Sequence, residues 1–339
     1  MHETKILVTG DLHYRGTRPR SRLDHDIEET LTAKLEEVWG IARESQCSAI
    51  IIPGDLTDTP NLSYASMSNL ADLLRRAPVP VMTIPGNHDL YGNNPATIGR
   101  TPYGLLARLG LILNLHESGF RGIEGAAKVS GTSYHPDMDN DPTTYQSEFG
   151  IALADPYRDA PHIHVAHGML LDNAPGYSLK HTLIKDVARD NDADIIVVGH
   201  DHIGFGVRRV EGKIFINPGS ILRVPAHNAN MTRQVGVVMI TLDNGTPTRK
   251  GDIHTEWIPL DTARPSNEVI SRKVIEEENM RTERVAQFLG LLRDINAGPS
   301  NALSIDDIVR HIAAHTDVAP EVVDDALDRI SVARANVDV

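Results

Sequence analysis

Short β-branched runs, each closed by polar or glycine-rich residues, recur along the chain as far as Leu260 and restrict it to a sheet-based fold. Lys5 to Thr9, Ser48 to Pro53, Val79 to Ile84, Lys128 to Ser133, His162 to Ala166 and Ile195 to Val198 read as buried strands. Between the first three lie Ile27 to Glu44, with Leu31, Leu35 and Val38 at helical spacing, and Tyr64 to Arg76, with Leu70, Leu73 and Leu74. Strand, helix and strand in that order make β-α-β crossovers, so a parallel core is expected. From Val207 to Ile258 the runs Val207 to Val210, Lys213 to Ile216, Val235 to Leu242 and Ile253 to Ile258 follow one another without helices. That predicts a second, largely antiparallel layer.

Strand signals stop after Pro259, and beyond Pro265 only helical periodicity remains. Val285, Phe288, Leu289, Leu292 and Ile295 form one apolar stripe, and Ile305, Ile308, Val309 and Ile312 a second behind a cap at Ser304 with Asp307 three residues on. A third stripe, Val323, Ala326, Leu327 and Ile330, is entered through Pro320. The expected organisation is an α/β domain over 1–262 and an all-helical extension over 263–339. Cys47 stands alone, which excludes an intrachain disulfide and a zinc site built from cysteine pairs. The amino terminus reaches Ile6-Leu7-Val8 too soon for a secretory signal, and no apolar run approaches the ~20 residues that span a bilayer. A cytoplasmic protein without membrane contact is expected.

The chemistry lies in the residues that close the strands, where open α/β sheets place their sites. Gly10-Asp11-Leu12-His13 follows the first strand, Gly54-Asp55-Leu56-Thr57-Asp58 the second, and Gly86-Asn87-His88-Asp89 the third. Later strands deliver His167-Gly168 and Gly199-His200-Asp201-His202. Asp11, His13, Asp55, Asn87, His167, His200 and His202 are oxygen and imidazole donors without a thiolate, enough for two divalent ions sharing a bridging carboxylate. Such a mixture suits manganese, iron or zinc better than calcium, and manganese is the first expectation. The glycines before the donors suit a backbone that turns tightly at each strand end. His162 and His164 alternate with the strand leading to His167 and read as outer-shell or surface residues, whereas His227 stands where it could approach substrate.

In this order the motifs D-x-H, G-D, G-N-H-[DE], H and G-H-x-H resemble the signature of the calcineurin-like metallophosphoesterase superfamily, and all are present between Asp11 and His202. The resemblance covers about residues 4 to 260. It implies a four-layer metallophosphoesterase sandwich, two mixed β-sheets flanked by helices, carrying here the C-terminal helical extension. It further implies that Asp11, His13 and His202 hold one metal, that Asn87, His167 and His200 hold the other, and that Asp55 bridges them. Hydrolysis of a phosphoester by two metals is the implied activity, with His88 protonating or stabilising the leaving oxygen and Asp58 or Asp89 orienting the His88 ring.

Superfamily membership leaves the substrate open. The first two motifs, with Asn217-Pro218-Gly219-Ser220-Ile221-Leu222-Arg223, look like the SbcD-type nuclease branch in its short, phage-like form. Arg15, Arg18, Arg20 and Arg22 follow the first motif and, with Arg223, are candidate grips for flanking DNA phosphates. Asp24, Asp26 and Glu28 supply neutralising charge nearby. Nucleases of that branch dock through C-terminal helices on an SMC-type ATPase, SbcC, so the helical extension is a candidate docking or homodimerisation segment. This chain departs from the branch in leaving little room for an α/β capping domain between core and helices. Lys and Arg number 33 against 46 Asp and Glu, a net charge of −13, which opposes general binding to a polyanion but leaves room for a local basic groove. A cyclic-nucleotide or nucleotide phosphodiesterase on the same site is the alternative, and a non-catalytic scaffold subunit a further one.

Overall fold

The computed structural model describes residues 3–116, 119–124, 126–147, 160–224, 228–243 and 253–271, and scattered positions from 273 to 327. Two compact units result, Met1–Val274 and Ile275–Val339. Most of the helical stripes expected beyond Val274, and His227, lie outside the described residues.

The first unit is built on two mixed sheets. In chain order the strands are β1 (Glu3–Val8), β2 (Ala49–Ile52), β3 (Val81–Thr83), β4 (Leu113–Asn114), β5 (Arg121–Ile123), β6 (Ala127–Thr132) and β7 (His162–Gly168). There follow the short pair β8 (Leu170–Leu171) and β9 (Thr182–Leu183), then β10 (Ile195–His200), β11 (Gly206–Val210), β12 (Lys213–Asn217), β13 (Gly236–Asp243) and β14 (His254–Pro259). One sheet runs β14-β13-β1-β2-β3-β4, the other β11-β12-β10-β7-β6-β5. Each has a parallel centre: β1, β2, β3 and β4 in the first, and β6, β7, β10 and β12 in the second.

The central strands are apolar on both faces because both faces are covered. On β1, Ile6 and Val8 pack between the sheets with Ile51 of β2 and with Val129, Val165, Val197 and Ile216 of the second sheet. Leu7 and Ile50 point the other way, onto α1 (Ile27–Glu44) and α2 (Tyr64–Arg75), meeting Leu31, Leu35, Val38, Leu70 and Leu73. Behind the second sheet, Ile196, Val198 and Phe215 meet Ile184, Val187 and Ala188 of α4 (Ile184–Asp190). The short α3 (Pro102–Arg108) adds Tyr103 and Leu106 to the first helical layer. Helix, sheet, sheet, helix is the four-layer order expected. Burying each large aliphatic side chain contributes roughly 1.5–3 kcal/mol, and the helix caps add to that: the Asp26 carboxylate accepts from the amides of Glu28 and Glu29 at the start of α1.

The segment from Val207 to Ile258 departs from expectation, for it is not one antiparallel layer. β11 and β12 form a hairpin on the edge of the second sheet, with β12 parallel to β10. β13 crosses to the first sheet, pairs antiparallel with β1 from Val8↔Val238 to Glu3↔Asp243, and carries β14 at its outer edge. Hairpin periodicity reports local pairing but not which exposed edge the hairpin extends.

The unit also continues past 262. Val269 and Ile270, at and just after α5 (Ser266–Val269), are buried, the Leu23 amide donates to the Val269 carbonyl at 3.0 Å, and the Ser271 amide to Ser21 at 2.9 Å. No described helix is long and apolar enough to cross a membrane.

Candidate metal centre

The strand ends converge at one rim, where the loops are locked to one another before any side chain is considered. The amides of Leu12 and His13 both donate to the Asp55 carbonyl, at 3.1 and 2.9 Å, so the loop after β1 rides on the loop after β2. The Asp11 carbonyl accepts from the Ile221 amide at 3.0 Å and from the Ser220 hydroxyl at 3.2 Å. The donors occupy unusual backbone: His13, Asp55 and His200 all have left-handed φ, at 47°, 46° and 89°.

The glycines turn out to serve a different purpose from the one expected. Among those preceding the donors only Gly54 has positive φ. Gly10, Gly86 and Gly199 are instead required by close approach: a Cβ on Gly199 would stand 2.3 Å from Asp11 Oδ1 and 2.5 Å from the Pro53 carbonyl, and one on Gly10 would lie only 1.8 Å from the Gly219 carbonyl. They vacate the space in which neighbouring donors and loops sit.

Two donor groups share Asp55, one of Asp11, His13, Asp55 and His202, the other of Asp55, His167 and His200, and a third joins His13, Asp58 and His88. In each, one donor atom per residue lies within 4.8 Å of the others. Asp55 belongs to the first two, with Oδ2 at 3.5 Å from His13 Nε2 and 3.3 Å from His167 Nε2. Asn87 Oδ1 approaches His167 Nε2 to 3.2 Å, so the structure brings all seven expected donors together.

The electrostatics call for cations. Asp11 Oδ1 and Asp55 Oδ2 are buried without a hydrogen-bond partner, and His13 Nε2 faces His202 Nε2 at 2.9 Å. Two carboxylates and four imidazoles in so small and dry a space satisfy one another only when positive charge lies between them. Burial would raise the Asp55 pKa, but the imidazoles of His167 and His13 overcome it and hold the carboxyl far below the usual range. Burial, aided by Asp55, lifts Asp11 to about 6 although His167 opposes it. His167 is pushed down by burial yet ends at about 9 because Asp55 and Asp11 adjoin it. Burial and then His167 take His200 down to about 3, and burial with His13 takes His202 to about 2. Oxygen and neutral imidazole donors without sulfur fit a pair of divalent ions of the manganese, iron or zinc kind.

His88 lies edge-on to His13, ring centroids 4.7 Å apart, and its amide donates to Asp55 Oδ1 at 2.8 Å. Neither expected carboxylate orients its ring. His88 Nδ1 instead meets the main-chain carbonyl of Asp58 at 2.8 Å; a carbonyl only accepts, so Nδ1 carries the proton and Nε2 is left for the site. The Asp58 carboxylate pairs with Arg15 and stands 3.4 Å from His13 Nδ1, on the far side of that imidazole from Nε2. Asp89 is fully buried as a tie between loops, accepting from the amides of Leu56, Thr57 and Gly86 and from the Thr57 hydroxyl. Burial lowers the His88 pKa, with Asp55 pulling the other way.

The arginines divide. Arg18 and Arg20 are exposed and Arg15 half-buried, but Arg22 and Arg223 do not face a substrate surface as expected. Arg22 is buried against Asp24, at 2.7 and 2.9 Å, and Arg223 is spent on the carbonyls of Arg233 and Arg264. His162 and His164 are also away from the donors, buried in β7 and sharing the Ser130 hydroxyl at 2.7 and 2.9 Å. Tyr134 was not singled out from the sequence; its ring lies 5.6 Å from that of His200 and 6.2 Å from that of His167. It follows β6, so its place just beyond a strand end was the available signal.

The family model for calcineurin-like phosphoesterases matches residues 4–204. Among curated proteins, the SbcD component of the SbcCD nuclease of Bacillus subtilis (strain 168) is 37% identical over 93 residues, covering 25% of this chain and 22% of that protein. The chain therefore matches less than a quarter of that relative's length. Solved structures similar to this chain include TT1561 of Thermus thermophilus, 16% identical over 76% of this chain and 99% of that one, TM-score 0.43. A dimetal phosphatase from Danio rerio is 11% identical over 74% of this chain and 98% of the other, TM-score 0.47. The 5'-nucleotidase precursor of Thermus thermophilus is 13% identical over 85% of this chain and 60% of its own, TM-score 0.44.

Proposed function

The chain belongs to the calcineurin-like phosphoesterase family, and from that premise we propose that it is a manganese-dependent DNA nuclease, the phosphodiesterase subunit of an SbcCD-like end-processing complex. The observation that carries the phosphodiesterase reading is the shared carboxylate: Asp55 stands in both donor groups with an unpaired, buried oxygen between His13 and His167. Asp11, His13 and His202 would hold one ion and Asn87, His167 and His200 the second, with Asp55 available to both. Two divalent ions bound there would supply a water of lowered pKa and positive charge for the phosphoester oxygens.

The chain's own residues do the rest. The Asp58 carbonyl fixes the His88 tautomer and turns Nε2 inward, where a protonated ring delivers a proton to the leaving oxygen. The Asp58 carboxylate backs His13, and Asp89 keeps the Asp55 and His88 loops in register. Arg18 and Arg20, exposed in the loop after His13, are the side chains we assign to phosphates flanking the scissile one. DNA as substrate and an SMC-type ATPase as partner are supported by the similarity to the SbcCD component. The net charge of −13 favours the second reading, a small nucleotide or cyclic nucleotide.

Purified protein with manganese, offered end-labelled linear DNA and a cyclic nucleotide in parallel with the His88→Ala variant, separates the two. DNA cleavage that vanishes in the variant is the expected result. Turnover of the small nucleotide with DNA untouched, with or without an ATPase partner, would overturn the nuclease reading.

A further inference from the structure

The buried face of α1 carries a lysine. Ile27, Leu31, Lys34, Leu35 and Val38 all face the core, and Lys34 is only 4% exposed. Its Nζ has no hydrogen-bond partner. It opens on a small cavity whose polar lining is Arg22, Thr30, Lys34, Arg223, Thr262 and Arg264, with Ile221, Val235 and Val269 closing the apolar side. Four separate stretches of chain thus bring cationic side chains to one point.

The nearby carboxylates are already committed. Asp24 accepts from Arg22 Nε and Nη2 at 2.7 and 2.9 Å, from the Thr30 hydroxyl at 3.0 Å and from Arg264 Nη2 at 3.0 Å. Glu37 is taken by the amides of Asp261 and Thr262, at 2.6 and 3.0 Å, and by the Thr262 hydroxyl. Two carboxylates face four cations, and Arg233, whose charge also acts on Lys34, has a buried Nη1 without a partner. A buried ammonium among guanidinium groups, with no acceptor of its own, carries the cost of desolvation and of like-charge repulsion together.

We propose that this cavity is a binding site for one monatomic anion of chloride size, held by the Lys34 ammonium and the arginines beside it. A water would satisfy hydrogen bonds but leave the charge. The cavity is small, with about 10 Å³ open to the centre of a water-sized guest, which suits one small occupant. Burial and the charges of Arg22 and Arg223 drive the Lys34 pKa down to about 7, the alternative relief open to an ammonium left without its anion. The site is separate from the metal centre yet joined to it: Arg223 lies two residues beyond Ile221, which together with Ser220 holds the Asp11 carbonyl. The anion pins that segment to α1.

Crystals of the full chain grown in bromide test the site directly, with an anomalous peak expected beside Lys34 Nζ. Only a water there, or no density, at saturating bromide overturns the proposal. In solution, replacing chloride by gluconate at constant ionic strength and constant manganese is expected to lower the wild-type Tm by roughly 2–4 °C while leaving Lys34→Met unmoved. An equal response of wild type and variant means a general salt effect and equally overturns it. Should Lys34→Met fail to fold, the bromide map on the wild type decides alone.

Discussion

Asp55 and His88 are bonded to each other, yet they make opposite predictions. Asp55 Oδ1 is occupied by the His88 amide, and Oδ2 is the unpaired oxygen between the two donor groups. Asp55→Ala removes the one donor both groups share, so metal content and turnover are expected to fall together. His88 uses its amide for structure and Nδ1 for the Asp58 carbonyl, leaving only Nε2 for chemistry. His88→Ala is accordingly expected to keep its metal and lose about 10²–10⁴-fold in kcat. Metal analysis beside a phosphodiester assay checks both, and equal metal content with equal activity in the two variants sinks the assignment. At this scale the residues that meet at the rim were legible, because residue type and order constrain them. The roles of Asp58 and Asp89 were not. Which atom of a loop residue reaches an imidazole depends on backbone direction, and here the carbonyl of Asp58 arrives while both carboxylates are held elsewhere.

The strand ends work as an assembly because glycines let adjacent loops nest. Gly199 closes β10 beside β7 and is surrounded by Asp11 Oδ1 at 2.3 Å, the Pro53 carbonyl at 2.5 Å and His167 Nδ1 at 2.8 Å from an added Cβ. None can yield independently: Asp11 Oδ2 accepts from the His200 amide, and His167 Nδ1 meets that same Pro53 carbonyl at 2.7 Å. Gly199→Ala therefore pushes apart donors of both groups. We expect manganese affinity to fall about 10–100-fold, as when the groups that orient ligands are disturbed, and stability to fall by about 1–3 kcal/mol from overpacking. Gly40, on α1 with nothing within 4 Å of an added Cβ, is the control. Gly40→Ala should leave manganese titration unchanged and gain up to about 1 kcal/mol in chemical denaturation. The longer strands and the first two helices were legible because their apolar patterns are regular, and α1 spans the expected Ile27–Glu44, whereas the two- and three-residue strands β4, β5, β8 and β9 were not. The distribution of β11 to β14 between two sheets was not, since an antiparallel hairpin has the same pattern on either edge.

For the whole molecule the instructive boundary is the end of the first unit. Composition changes just after Pro259, and a break at 262 follows naturally from it, yet the compact unit extends to Val274. The intervening residues have no strand character and too short a helix to register as an element, but their contacts are with the loop after β1. Arg22 and Ile270 form an antiparallel bridge, the Leu23 amide reaches the Val269 carbonyl, and Arg264 joins Asp24 at 3.0 Å. Such pairing between residues nearly 250 positions apart leaves no periodic trace in sequence. A chain ending at 274 retains every donor of the metal centre and every one of these contacts. It is expected to bind manganese as the full chain does and to turn over a small phosphodiester within about twofold of it. A chain ending at 262 exposes the surfaces under Val269 and Ile270, 3% and 1% exposed, and takes the Arg264 guanidinium away from Asp24. Loss of two buried aliphatic side chains alone costs roughly 3–6 kcal/mol, a large part of the ~5–15 kcal/mol that holds a typical domain together. Denaturant titration of the two truncated chains separates the boundaries: a shorter chain as stable as the longer would return the domain's end to 262. A marked fall confined to the shorter chain shows instead that the helical turn after Pro265 belongs to the phosphoesterase fold, and that any docking role must begin beyond it.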